Sequence, residues 1–330
     1  MPSGRPNGNG ADNGHDNGHD SGHASGHDDW QVRIGINPIV WSNDDFRDLG
    51  GDIALESCLA EMQQAGYAGS ELGHKFPKNA ETLRVLLDRY DLQLVSGWHS
   101  LHLLERDFAA ERLDYEKHLD FLQRLGSEVV IVAECSQRTY NDPLQPLQFD
   151  DRQDLMSAAD WGRLADGLES LARITRARGL ALAYHHHMGT LVQSRAEIDE
   201  LMRRTHDLGL LVDTGHLVFA DADPMGVLRD HVQRVTHVHL KDVRPDVLMR
   251  ARAERHSFST AVRAGVFTVP GDGGIDYAPI FEQLRCSGYR GWLVVEAEQD
   301  PHRSQPLHYA RMGWNYVQQL VALGQTEVKG

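Results

Sequence analysis

The chain has 330 residues, 41% of them hydrophobic, which is enough to bury the core of one large domain or two small ones. Its formal net charge of −15 argues against a nucleic-acid partner, because phosphate binding depends on Lys and Arg displacing condensed counterions. No apolar run approaches the roughly 20 residues of a membrane helix and none resembles a signal core, so we expect no membrane insertion and a cytoplasmic location.

The first 30 residues differ in composition from the rest of the chain. They are rich in Gly, Asn, Asp and His, and His15, His19, His23 and His27 recur at every fourth position. Such a composition cannot build a core, so we predict a disordered tail. Loose metal chelation by these histidines is an alternative, although a Gly in each repeat opposes the helix that would align them.

From residue 31 onward, short apolar runs alternate with longer segments of helical periodicity. Predicted strands cover residues 32–39, 69–73, 94–98, 128–134, 180–185, 208–213, 235–241 and 292–296. Predicted helices cover residues 55–65, 81–89, 107–125, 158–178, 194–205, 224–231, 277–286 and 307–323. Four of these helices run into a glycine that leads toward a strand: Gly66, Gly126, Gly179 and Gly288.

Eight strand-then-helix units predict one closed (β/α)8 barrel domain over residues 31–330. An open doubly wound sheet is the alternative, but it would usually carry a GxGxxG loop after the first strand, and residues 37–41 read Asn-Pro-Ile-Val-Trp. Residues 271–274, Gly-Asp-Gly-Gly, resemble a phosphate loop in composition only and are interpreted as a turn. The long loops 136–157 and 243–276 predict lids over the site, the second with a helix at 245–264.

Polar residues end most of the predicted strands, although apolar residues precede nearly all of them. Because a barrel keeps its active site at the carboxyl ends of its strands, these residues are the candidates for function. In chain order they are Asn37; Glu71 and His74; Trp98 and His99; Glu134; His185 and His187; Asp213 and His216; His237, His239, Lys241 and Asp242; and Glu296 and Glu298.

Four of these residues predict a metal site. Unpaired buried charge costs several kcal/mol, and a metal held by His185, Asp213, His239 and Glu296 would remove that cost. The mixed nitrogen and oxygen ligands favour Mn²⁺, Co²⁺, Fe²⁺ or Zn²⁺ over Mg²⁺. His237 is interpreted as an inward-facing histidine one layer below His239, and Glu298 as either a supporting carboxylate or a substrate contact.

The ends of strands five to eight resemble the sugar isomerase/epimerase superfamily of barrels related to xylose isomerase, in which Glu, Asp, His and Glu from the last four strands hold the metal. This chain has His185 where that superfamily usually has Glu. Residues 35–45, 71–77, 184–190 and 291–301 are, more narrowly, similar to the inosose dehydratase family, and the likeness spans about residues 31–325. His74 and residues 98–102 depart from typical members.

This resemblance implies a hydro-lyase that dehydrates a small cyclic polyol ketone, 2-keto-myo-inositol, to a dione in myo-inositol catabolism. It also implies Mn²⁺ or Co²⁺ as the metal, associates glutathione with the family, and leaves room for a homo-oligomer. Dehydration next to a ketone needs a base for the acidic C–H and an acid for the departing hydroxyl.

The strand-end residues supply candidates for these tasks. We predict Lys241 or Glu134 as the base and His187 or His216 as the acid, with His216 also counted among the substrate contacts. Further substrate-positioning residues are Asn37, Glu71 and Trp98. The nearest alternative function is a ketose epimerase or aldose–ketose isomerase on the same barrel, and a non-catalytic metal-handling protein is a second. The net charge disfavours a third, an endonuclease acting on abasic DNA.

Overall fold

The computed structural model describes residues 30–146 and 155–326, with side chains up to residue 323. The predicted disordered tail and its histidines at positions 15–27 therefore lie outside the described residues, as does part of the loop 136–157. Trp30, at the predicted boundary between tail and barrel, donates a hydrogen bond from its indole N–H to the Tyr289 carbonyl at 2.8 Å.

Each of the eight predicted strands is present in the structure. The strands are β1 (Val32–Ile36), β2 (Gly69–Ser70), β3 (Gln93–Leu94), β4 (Trp98–Leu101), β5 (Val129–Glu134), β6 (Ala181–His185), β7 (Gly209–Asp213), β8 (Val235–Leu240), β9 (Asp242–Val243), β10 (Phe267–Thr268) and β11 (Gly291–Val295). Nine of them form one parallel sheet in the order β3-β2-β1-β11-β8-β7-β6-β5-β4. The remaining two, β9 and β10, form an antiparallel pair.

The third predicted strand closes the sheet into a barrel. It consists of β3, which pairs with β2, and β4, which pairs with β5. Between them, the N–H of Val95 donates to the carbonyl of Ser70 at 2.9 Å, and the carbonyl of Gly97 accepts from Ile131 at 3.1 Å. One extended segment thus joins both ends of the sheet, which confirms the predicted (β/α)8 barrel.

The predicted helices are also confirmed. In chain order the helices are α1 (Leu55–Ala65), α2 (Ala80–Arg89), α3 (Phe108–Arg124), α4 (Ala158–Ala177), α5 (Arg195–Arg204), α6 (Thr214–Phe219), α7 (Pro224–His231), α8 (Pro245–Ala253), α9 (Phe258–Arg263), α10 (Ala278–Cys286) and α11 (Pro306–Thr326). The four glycines expected at helix ends all have positive φ, from 75° to 105°. No helix among residues 30–146 and 155–326 has the length and apolar character needed to cross a bilayer.

Two helical details differ from the sequence prediction. The single helix expected at 245–264 is two helices, because Arg255 adopts a left-handed conformation (φ 53°) and Ser257 caps the start of α9. The short helix α6 was not predicted, since its six residues are too few to show a periodic pattern.

The Gly-rich segment 271–274 is a turn that binds an internal carboxylate. Asp242 accepts hydrogen bonds from the N–H groups of Gly271 at 3.3 Å and Gly273 at 3.2 Å through Oδ2, and from those of Val243 and Ile275 through Oδ1. These contacts tie the long loop to the end of β8. The amides that a phosphate would need are therefore already used, in agreement with the predicted turn.

Among the described residues, the barrel interior combines an apolar cluster with polar strand ends. Lower in the barrel, Val129, Ile131, Ala183 and Leu211 pack together as a small apolar cluster, with Trp98 against it. The opposite faces of the same strands pack under the helices in a much larger cluster. The polar strand ends therefore meet above a closed apolar floor.

Candidate metal centre and active-site cavity

A cavity of about 370 Å³ opens at the carboxyl ends of the strands, a volume suited to a small ligand. Its wall includes seven of the eleven residues predicted for the site: Asn37, Glu71, Trp98, His185, His187, His239 and Glu296. Two others, Asp213 and Lys241, lie directly beneath this wall and are completely buried. The strand ends thus converge as the barrel prediction requires.

Asp213 is held by the start of helix α6. Its Oδ1 accepts a hydrogen bond from the N–H of His216 at 2.7 Å and so caps the helix. Its Oδ2 is buried and has no hydrogen-bond partner among the described residues. Instead, Oδ2 lies 3.7 Å from Nε2 of His185 and 3.6 Å from Nδ1 of His239. The cap therefore aims one carboxylate oxygen at two imidazole nitrogens.

The tautomer of His185 leaves a lone pair facing this point. Nδ1 lies 2.7 Å from the carbonyl oxygen of His186, and since a carbonyl only accepts, Nδ1 must carry the proton. Nε2, the nitrogen close to Asp213, is then free to act as a ligand. The neighbouring His186 points elsewhere, and its Nε2 accepts from the backbone N–H of Asp213 at 3.3 Å.

His239 is oriented from below by Glu71. Nε2 of His239 donates to Oε1 of Glu71 at 3.0 Å, and His237 donates to the same oxygen at 2.8 Å. Ser96 and Asn37 also donate to the Glu71 carboxylate, at 2.6 and 2.7 Å. Burial opposes ionisation of Glu71, but the two imidazoles outweigh it and hold its pKa well below the usual range. A carboxylate behind a ligand histidine is a common supporting contact in metal sites.

Together, His185, Asp213, His239 and Glu296 fit a divalent cation. Each offers one ligand atom, and all four atoms lie within 4.8 Å of one another. Nδ1 of His239 lies 2.6 Å from Oε2 of Glu296, yet it has no aligned hydrogen-bond partner among the described residues. An ion bound here would satisfy both this nitrogen and the unpartnered oxygen of Asp213. Two imidazoles and two carboxylates suit Mn²⁺, Co²⁺, Fe²⁺ or Zn²⁺.

Lys241 lies among carboxylates beside the candidate metal group. Its Nζ is 2.6 Å from Oε1 of Glu296, 2.7 Å from Oε1 of Glu298 and 3.5 Å from Oδ2 of Asp213. Burial disfavours the charged ammonium, but these three carboxylates outweigh it and hold the pKa of Lys241 above its ordinary value. Lys241 is therefore a fixed positive charge rather than a neutral amine.

Glu298 is the buried carboxylate with a free oxygen at the cavity. Oε1 contacts Lys241, whereas Oε2 has no hydrogen-bond partner among the described residues. Burial, reinforced by the nearby Glu296, raises the pKa of Glu298 to about 7 despite the Lys241 ammonium. Of the two interpretations left open from sequence, this position fits a residue that faces the substrate.

His187 lines the cavity on the side opposite the barrel floor. Its Nδ1 donates to the Met188 carbonyl at 2.8 Å, so Nε2 carries the lone pair. Burial lowers the pKa of His187 to about 4. His216 packs against it with ring centroids 4.1 Å apart and ring planes tilted by 47°, and is almost completely buried. The structure thus brings His187, and not His216, to the cavity surface.

Glu134 is not brought to the cavity. Strand alternation places it on the face of β5 opposite Ile131, a residue of the cavity wall. Its two oxygens accept hydrogen bonds from the backbone N–H groups of Leu103 at 2.8 Å and Ser136 at 2.9 Å. These contacts anchor the loops after β4 and β5, which argues against the predicted role as a base.

Sequence reasoning missed the residues at the cavity mouth. Asp44, Asp45, Arg47, Arg138, Tyr140 and Asn141 contribute to the wall there. They lie in the loops that follow β1 and β5, beyond the strand ends from which the candidate residues were predicted. Arg138 and Tyr140 belong to the loop predicted as a lid, so its unusual length was the available clue.

The comparisons with known proteins agree with this geometry. A family model described as "Xylose isomerase-like TIM barrel" matches residues 59–316. The chain is 46% identical to the rhizopine catabolism protein MocC of Rhizobium meliloti, over 88% of this chain and 89% of that protein. It is 43% identical to inosose dehydratase of Geobacillus thermodenitrificans, over 89% of this chain and 98% of that protein.

Among solved structures, an L-ribulose 3-epimerase superposes with a TM-score of 0.64 at 18% identity, covering 91% of this chain and 97% of the epimerase. An identity this low speaks for the fold alone. The family match and the 43% identity together carry the assignment further. The chain belongs to the xylose isomerase-like TIM barrel family and, within it, to the group that contains the inosose dehydratases.

Proposed function

We propose that the chain is a metal-dependent hydro-lyase that dehydrates 2-keto-myo-inositol (inosose) to a trihydroxycyclohexane-dione in myo-inositol catabolism. The observation that carries this proposal is the grouping, at the carboxyl end of the barrel, of a four-residue metal-ligand set with an imidazole, a carboxyl group and an ammonium beside it. Relatives that are named inosose dehydratase, and that this chain matches over 98% of their length, support the same reaction.

His185, Asp213, His239 and Glu296 would hold the metal. A divalent ion bound there supplies positive charge for the oxyanion that forms when the carbon next to the ketone loses its proton. From the family resemblance we propose Mn²⁺ or Co²⁺. Glutathione stays a prediction of that resemblance. The cytoplasmic location and the absence of nucleic-acid and membrane partners stay predictions from the net charge and the hydropathy of the sequence, and a homo-oligomer stays a prediction too.

We assign proton abstraction to His187. Its Nδ1–H is committed to the Met188 carbonyl, so Nε2 presents a lone pair to the cavity. Removal of the proton next to the ketone gives an enediolate. This assignment exchanges the roles expected from sequence, in which His187 was an acid and Lys241 a candidate base, because the carboxylates around Lys241 keep its amine protonated.

We assign delivery of a proton to the departing hydroxyl to Glu298. Glu298 lines the cavity, its Oε1 is fixed by Lys241 at 2.7 Å, and its Oε2 has no hydrogen-bond partner among the described residues. Collapse of the enediolate then breaks the C–O bond at the β-carbon, and the hydroxyl leaves as water with the proton from Glu298. The resulting enol tautomerises to the dione. Trp98 borders the cavity beside the rings of His185 and His187, 5.5 and 5.6 Å away, and offers an apolar face to the ring of the substrate.

Exchange and elimination, measured separately, test these assignments. In D₂O, the Mn²⁺-loaded protein should exchange the proton next to the ketone of inosose and form the dione. His187→Gln should lose both reactions, whereas Glu298→Gln should keep exchange and lose the dione. His302→Gln, at an exposed histidine, is the matched control. Wild-type exchange in His187→Gln would exclude it as the base.

The epimerase or isomerase alternative uses the same enediolate but returns a proton to it instead of expelling water. The relatives named inosose dehydratase do not favour it. Offering the wild-type protein inosose and a set of ketoses decides between them. Epimerised ketose without any dione from inosose would overturn the proposed function.

A further inference from the structure

A second group of potential metal ligands lies beside the first. His187, His216 and Glu298 each offer one ligand atom, these atoms lie within 4.8 Å of one another, and all three residues are buried. The Oε2 atom of Glu298 is unpartnered among the described residues, although the side chain is only 1% exposed. By composition alone, this group could bind a second divalent ion.

The ammonium of Lys241 already stands at this second group. Nζ lies 3.0 Å from Nε2 of His216 and 2.7 Å from Oε1 of Glu298. The same atom lies 2.6 Å from Glu296, a residue of the first group. One positive charge therefore lies between the two groups and contacts a carboxylate of each.

The local structure fixes Lys241 in this place. Its backbone N–H and carbonyl both hydrogen-bond the hydroxyl of Thr214, at 3.1 and 2.8 Å. Its side chain passes over Gly215, where an added Cβ would lie 2.5 Å from Cγ of Lys241. The side chain is completely buried. The lysine thus occupies a channel that only a glycine leaves open.

We propose that the Lys241 ammonium takes the place of a second metal ion, so that the barrel binds one divalent ion and His187, His216 and Glu298 become a metal site only when Lys241 is removed. An ammonium neutralises the carboxylates as an ion would, and its positive charge repels a divalent ion from the adjacent position. It uses only Oε1 of Glu298, and leaves Oε2 and the Nε2 of His187 for the substrate. The inference concerns metal binding and does not depend on the reaction.

Metal content measured with Co²⁺ tests the proposal without an activity assay. Because the N-terminal histidines could bind Co²⁺ too, every variant should carry Asn in place of His15, His19, His23 and His27 in the full-length chain. After saturation and dialysis, the parent should retain one Co²⁺ per chain. Lys241→Ala should retain two, with a change in the visible spectrum for the second ion.

Four further variants separate the proposal from its alternatives. Lys241→Arg keeps a positive charge and should remain at one ion, and Lys75→Ala, at a lysine that donates to the Gly50, Gly51 and Ile53 carbonyls, should do the same. Lys241→Ala combined with Glu298→Gln should return to one. Two ions in the parent would overturn the proposal, whether or not any variant folds. So would a single ion in a folded Lys241→Ala or Lys241→Met variant at saturating Co²⁺.

Discussion

The two halves of the barrel contribute differently to the cavity. Strands β6, β7, β8 and β11 supply all four candidate metal ligands together with Lys241 and the loop residues His187 and Glu298. Strands β1 to β5 supply Asn37, which contacts both Glu71 and Glu296, and an aromatic wall. The residues proposed to hold the metal and transfer protons therefore lie at the ends of the later strands, whereas residues of the earlier strands contact them and line the cavity.

This division has a structural reason. Glu71 follows β2 and hydrogen-bonds His239 on β8, so its carboxylate reaches the metal group only through an imidazole. Glu134, at the end of β5, turns outward to anchor loops. A carboxylate at a strand end therefore ligates, supports a ligand or anchors loops according to the neighbours that the barrel places around it. Substitutions on the two halves should differ accordingly.

The largest effect is expected from Asp213→Asn on the ligand half. The amide can still cap α6 through its oxygen but removes a charge from the metal group. A bound metal contributes several kcal/mol of charge stabilisation, so kcat/KM should fall by about a thousandfold, and the metal content should fall with it. Steady-state kinetics and elemental analysis of the same sample measure kcat/KM and the metal content.

Asp223→Asn is the matched control for this change. Asp223 caps α7 by accepting from the N–H groups of Met225 and Gly226, both at 3.0 Å, in the same way that Asp213 caps α6. It is not a member of the metal group. Equal losses of activity in the two variants would mean that helix capping, and not metal binding, explains the effect.

A smaller effect is expected from Glu71→Gln on the supporting half. The variant keeps the volume of the side chain but removes the carboxylate that orients His239. Supporting contacts of this kind are worth roughly 10-fold to 100-fold in metal affinity or activity. Titration with Mn²⁺ should show the weaker binding, and Glu128→Gln, at an exposed carboxylate paired with Arg33, should leave it unchanged. Unaltered affinity in Glu71→Gln would remove Glu71 from the supporting role.

Trp98→Ala should affect substrate binding more than turnover. The indole borders the cavity but lies outside the groups assigned to proton transfer. We expect KM for inosose to rise about tenfold, or ~1.4 kcal/mol, with a much smaller change in kcat. Trp98→Phe should recover most of the loss because it restores a flat apolar face. A fall in kcat at unchanged KM would instead assign Trp98 to the chemical step.

The smallest effect should come from His99, on the outer face of β4. Burial is the main cause that lowers the pKa of His99 to about 4, from an ordinary value of 6.5. As the pH falls, His99 therefore takes up a proton in the unfolded chain before it does so in the folded chain. His99 stabilises the fold above about pH 6.5, and this contribution is lost as the pH falls toward 4. The titratable and charged groups around it are His102, Arg106, Asp114, Tyr115 and His118.

Thermal unfolding at about pH 7.5 and about pH 5 measures this contribution. His99→Gln should narrow the difference in Tm between the two conditions by roughly 2 °C. Activity at neutral pH should be unchanged, since His99 lies outside the cavity wall. An equal pH dependence of Tm in the two proteins would show that other groups cause the loss of stability in acid.

Much of the fold and site was predictable from the sequence. The (β/α)8 barrel followed from eight strand-and-helix units, and the glycine helix ends followed from positions such as Gly66 and Gly179. His185 and Asp213 came together because both end parallel strands of one barrel. The mouth residues, such as Arg138, were not predictable, because loops carry no periodic pattern and their paths depend on contacts far away in the chain.

The sequence by itself determined which residues stand at the strand ends, because hydrophobic periodicity is a local property of the chain. Only the tertiary structure decided what each residue does there. The outward face of Glu134, the burial of His216 against His187 and the enclosure of Lys241 by three carboxylates depend on strand stagger and on which face each residue occupies. Those are relations between strands that are distant in sequence. The environment they create, rather than the type of residue, makes Lys241 a fixed charge and leaves a free lone pair on Nε2 of His187.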